Sequence, residues 1–150
     1  MSAIPRISLA FLLTLSFGGL ALAGGCAPGG PTYVDQGTHY TLASVDGVFS
    51  SADTRRYTDR PTSAAVGLRH DALVALRKRG GNAASAAELV TRTFPADTRS
   101  VPVYVERATV ENKPALVIVE ATGPKEGTLK AKRLWVLDNQ GNVIFASTGK

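Results

Sequence analysis

His70 and Asp71 are the one adjacent histidine–carboxylate pair in this chain, and so the first place to look for organised proton transfer. Such chemistry needs both groups on one reacting atom, whereas neighbouring side chains on a helix diverge by about 100°. The pair therefore reads as a solvated helix face in preference to a catalytic dyad. Ser50 and Ser51 stand near Asp53 and supply hydroxyls, but no base lies at a recognisable motif spacing from them. A hydrolase or transferase reading of the chain would have to rest on His70, Asp71 or these serines. Arg69 is more informative, because its helical projection falls inside an otherwise apolar arc. Either its stem covers core while the guanidinium snorkels to water, or it pairs with a carboxylate such as Glu106 or Glu120, or with a bound anion. Arg77, Lys78 and Arg79 close the same helix, where positive charge is favoured by the helix dipole. With Arg69 they form the candidate contacts to an anion or a partner.

Other chemistries find little support. The two histidines, His39 and His70, and the dispersed carboxylates form no zinc-ligand spacing, so no metal site and no cofactor is expected. There is no G-x-S-x-G elbow, no phosphate-cradling G-x-x-x-x-G-K and no C-x-x-C. The formal charge of +5 is mild and comes without the dense Lys/Arg runs of a nucleic-acid binder, so nucleic acid is not expected as a partner.

Cys26 is the single cysteine, which leaves no internal disulfide to form. Ahead of it, Met1 to Arg6 is positively charged and Ile7 to Ala23 carries no charge, the layout of a signal peptide. The stretch Leu22-Ala23-Gly24-Gly25-Cys26 resembles the lipobox of bacterial lipoproteins, with Leu22 one place earlier than that family's usual leucine. The resemblance implies cleavage between Gly25 and Cys26 and a diacylglyceryl thioether on the Cys26 thiol, with palmitate-type acyl chains. Two or three such chains would anchor firmly, since each buried methylene contributes about 0.8 kcal/mol. Two other outcomes are open: cleavage after Ala23 at the A-x-A site Ala21-Leu22-Ala23, giving a secreted protein, and retention of the uncut stretch as a short anchor. All three put the folded part outside the cytoplasm. The expected role is a membrane-anchored, extracytoplasmic module of the cell envelope. It would bind an envelope protein or an anionic polymer without catalysis; the alternative is an envelope enzyme.

The elements that position these residues follow from pattern. Residues 1–25 are the signal peptide, and 26–37, rich in Gly and Pro, are the lipidated cysteine and a flexible tether. Residues 38–60 are a partly ordered arm or a hairpin turning at Asp46-Gly47. An α+β domain fills 61–150. Its first helix starts near Thr62, buries Ala65, Val66, Leu68, Ala72, Leu73 and Leu76, and stops at Gly80-Gly81. A second follows Asn82, with Ser85 and Glu88 at capping-box spacing and Ala83, Ala86, Leu89, Val90 and Phe94 inward. Pro95 ends it. Strands are expected around 101–106, 115–121, 129–137 and 143–147, with short turns at 111–113 and 138–142. The predicted architecture is a helical hairpin followed by a four-stranded antiparallel meander sheet, helices packed on one face.

Overall fold

The apolar run after Lys113 lies at the middle of a mixed sheet. In the computed structural model, which describes residues 30–149 apart from Gln36 and Thr98, the strands are β1 (Thr32–Val34), β2 (His39–Tyr40), β3 (Ser100–Val110), β4 (Lys113–Thr122), β5 (Ala131–Leu137) and β6 (Val143–Gly149). The sheet runs β1-β3-β4-β5-β6, with β2 also on β3. The expected signal peptide over residues 1–25 and the expected lipidation site Cys26 lie outside the described residues. Two helices, α1 (Ala65–Arg79) and α2 (Gly81–Thr93), precede β3. The α+β class holds. The sheet is wider than expected and mixed: β3 to β6 pair antiparallel, while β1 and β2 add to β3 in parallel.

The additions correct two expectations. Residues 32–34, assigned to the flexible tether, are the strand β1 in register with Tyr104 to Glu106. The 38–60 arm is ordered and is not a hairpin: β2 lies on Thr109 and Val110, and Val45–Ser50 winds as a 3-10 turn. Gly47 keeps an ordinary negative-φ backbone there, so the Asp46-Gly47 step does not make the positive-φ turn that a hairpin needs.

Glycine decides the helix connection. Gly80 and Gly81 have φ of 72° and 52°, values that only glycine adopts without steric cost, so α1 ends and α2 begins across two residues. The buried face of α1 is Ala65, Arg69, Ala72, Leu73 and Leu76; Val66, expected inside, is 56% exposed because the true stripe is centred one residue further round. Ser85 and Glu88 do not cap α2. The helix starts at Gly81, so Ser85 lies within its first turns and donates to the Gly81 carbonyl, while Glu88 pairs with Arg77 across the helix hairpin.

The sheet is covered on both faces. Leu73, Leu76, Ala83, Ala87 and Val90 of the helices pack on Val105, Leu116, Ile118 and Leu137. On the other face, Val45, Val48, Ala52 and Tyr57 from the arm meet Val117, Val119 and Val136. This explains why β3 is buried nearly throughout, where a half-buried strand was expected. A bulge between Pro102 and Tyr104 shifts its register against β4. Pro102 precedes the stretch paired with β1 and, on the β4 side, sits at this bulge in register with Glu120. Glu111 and Asn112, with φ of 49° and 61°, form the two-residue turn from β3 to β4.

Candidate functional site

Glu120 is the one charge inside the β4 apolar run, and alternation turns it toward the helices. It is fully buried. Its Oε1 accepts from Arg69 Nη1 at 2.7 Å, and its Oε2 accepts from Arg133 Nη2 at 2.8 Å and Trp135 Nε1 at 2.9 Å and lies 3.0 Å from the Ser100 hydroxyl oxygen. Both oxygens of this buried carboxylate are thus engaged by donors of the chain itself. Arg133 also reaches Asp97 at 2.5 Å and stacks on the Trp135 ring at 4.7 Å, and Ser100 donates to the same Asp97 oxygen. Two guanidinium groups and two carboxylates thus neutralise one another where α1 crosses the sheet. The Arg69 side chain is 7% exposed, which excludes snorkelling to water and gives the carboxylate pairing, with Glu120 and not Glu106 as the partner. Its Nη2 has no hydrogen-bond partner among the described residues.

Asp97 gives this network a measurable pH signature. Burial alone would raise its carboxyl, but the Ser100 hydroxyl, the Arg99 backbone N–H and the charges of Arg133 and Arg69 outweigh that and hold it below its ordinary value. A carboxyl lowered on folding contributes stability that is present above its ordinary pKa and is lost as pH falls through the folded value. Asp97→Asn should therefore flatten the acid limb. Urea unfolding at about pH 6 and about pH 3 should show a smaller acid-induced loss for the variant than for the parent; equal losses would mean that Asp97 carries no such linkage.

Glu106 lies on the opposite face, because it pairs with Val117, three residues from Glu120. It is buried, and its Oε2 accepts from the Tyr40 hydroxyl at 2.9 Å and the Tyr104 hydroxyl at 3.0 Å. No cation pairs with it among the described residues. Burial, and after it the Glu106 carboxylate, push the Tyr104 phenol well above its ordinary range, so the phenol stays a donor.

The catalytic candidates are scattered. His70 and Asp71 are exposed on α1. Ser50 and Ser51 line a shallow depression of about 310 Å³ with Asp53, Arg55 and Lys132, which His70 and Asp71 do not enter. Lys132 Nζ donates to the Phe49 and Ala52 carbonyls at 3.0 and 3.4 Å. Asp53 is held by Arg55 at 2.8 Å. The anion-contact candidates also separate. Arg69 is internal, and Arg77 turns to Glu88 at 2.6 Å and to Thr91 at 2.9 Å. Lys78 is exposed, and Arg79 Nη2 donates to the Pro31 carbonyl at 3.2 Å.

A second concavity was not foreseen. A groove of about 430 Å³ runs between α2 and the β3–β4 hairpin, with Leu89 and Leu116 below and Arg92 and Arg107 on its walls. Its signal in the sequence was a stripe, Ser85, Glu88, Leu89 and Arg92, at spacings that share a helix face. Among the described residues there is no group of three or more His, Cys, Asp or Glu side chains that could hold a metal ion, and no helix long and apolar enough to cross a membrane. Compared with known proteins, the chain matches no family model, no curated protein and no solved structure.

Proposed function

We propose that this chain is an extracytoplasmic lipoprotein of the bacterial cell envelope, held by lipid on Cys26 and working as a non-enzymatic binding module. One observation carries the reading. The first described residues, Gly30 and Pro31, lie against the end of α1, where Arg56 Nη2 donates to the Gly30 carbonyl at 2.6 Å and Arg79 Nη2 to that of Pro31. Gly30 is four residues after Cys26, a reach of at most about 14 Å. A lipid on Cys26 would thus hold this end of the domain against the bilayer, with Arg56, Lys78 and Arg79 at the headgroups. Each basic side chain near an anionic surface adds about 1 kcal/mol of attraction. The binding role is supported by where the ionisable groups stand: His70 and Asp71 on open surface, Glu120 bound inside the fold by Arg69 and Arg133, Lys132 engaged by backbone carbonyls.

Labelling cells with palmitate tests the anchor. The parent chain should incorporate label and Cys26→Ser should not; an unlabelled parent would sink the lipid model in favour of release after Ala23 or an uncut anchor.

A further inference from the structure

The groove between α2 and the β3–β4 hairpin combines an apolar floor with two exposed guanidinium groups that keep hydrogen-bond donors unspent. Leu89 and Leu116 form the floor. Arg107 stands directly across from Leu116 in the sheet, and its side chain makes no hydrogen bond or ion pair among the described residues. Arg92 spends only Nη2, on the Gln140 carbonyl at 3.2 Å. Both arginines are exposed. Exposed guanidinium forks flanking apolar surface favour carboxylates held on either side of an apolar group.

Two further side chains narrow the ligand. Asn139 borders the groove and makes no side-chain hydrogen bond among the described residues, so it can both donate to and accept from an amide. The Ser85 hydroxyl gives its proton to Gly81 and keeps its acceptor lone pairs. A fatty acid would leave these groups unused, whereas peptide bonds would satisfy them. Glu88 is the one acid on the wall, and Arg77 holds it at 2.6 Å, which reduces its repulsion of an anionic ligand. We propose that the groove binds a short acidic peptide, with an apolar side chain on Leu89 and Leu116, flanking carboxylates on Arg92 and Arg107, and backbone amides on Asn139 and Ser85. The volume lies within the usual range for ligand sites.

The inference rests on the binding-module reading and is independent of the anchor, so loss of one leaves the other standing. The test titrates acetylated, amidated Glu-Leu-Glu into the full chain in detergent micelles. Binding is read from NMR shifts of the Leu89 and Leu116 methyls and of the arginine Nε–H groups. Gln-Leu-Gln and decanoate serve as comparison probes. The expected result is saturable shifts confined to the groove, with affinity about tenfold lower for Gln-Leu-Gln and for each of Arg92→Gln and Arg107→Gln. Binding should also weaken as salt rises. Shifts lying elsewhere, equal binding of the two peptides, decanoate binding in place of the peptide, or no shift up to about 10 mM would each overturn the proposal.

Discussion

Glu120→Ala is expected to destabilise the fold by about 3–5 kcal/mol. The magnitude comes from what is left behind. Arg69 keeps its charge at a 7% exposed site with only the Ser100 carbonyl, 3.5 Å from Nη1, as a remaining acceptor. Arg133 suffers less, because it retains Asp97 and is 27% exposed. The stranded cation, and not the lost hydrogen bonds, should dominate the cost. Arg69→Met combined with Glu120→Leu removes both charges and should recover most of the loss, since apolar replacement of a buried pair is often neutral. Urea unfolding of the two single variants and the double closes the cycle. A cost below about 1 kcal/mol for Glu120→Ala would show that water or another group reaches Arg69 and that the pair contributes little.

Removing both phenols from Glu106 is the second large effect. Tyr104→Phe alone should cost about 1.5–3 kcal/mol, the range for a hydrogen bond to a charged acceptor, with Tyr40→Phe toward the lower end because Tyr40 is less buried. The double variant should exceed the sum by at least about 1 kcal/mol, because each single variant leaves Glu106 one donor and the double leaves it none. Glu106→Met in the double background should restore part of the stability by removing the carboxylate itself. Strictly additive single effects, measured by the same unfolding curves, would mean that Glu106 draws on another donor.

Several features were legible because they are local. The end of α1 is set by two glycines in positive φ, and the β3–β4 turn by two adjacent residues, so no distant partner is needed to read either. The charges of Arg69 and Glu120 were visible as interruptions of apolar patterns, one at helical spacing and one in a strand. Their meeting was not assured, because Glu106 offered itself equally until the pairing with β4 set which face each carboxylate takes. Asp97, Ser100, Arg133 and Trp135 carried no comparable signal, since each is ordinary in its own segment and acquires meaning only where the sheet meets α1. The same holds for Arg107 in the groove. β1 was missed, and β2 was given the wrong partner by the hairpin reading, for a further reason: strands of three and two residues hold too little pattern to be read, and their pairing comes from β3.

That dependence orders events in time. The Tyr40 hydroxyl meets a carboxylate 66 residues further along the chain, and neither β1 nor β2 has a strand to join until β3 exists. Loop closure over such a span must precede any reward, whereas α1 with α2, and β3 through β6, assemble from neighbours in sequence. β1 and β2, which precede β3 in the chain, are thus expected to be fixed after it. With Cys26 already in the bilayer, as the proposed anchor requires, docking of β1 would draw the rest of the domain down to the headgroups. Completion of the sheet and seating on the membrane would then be a single step.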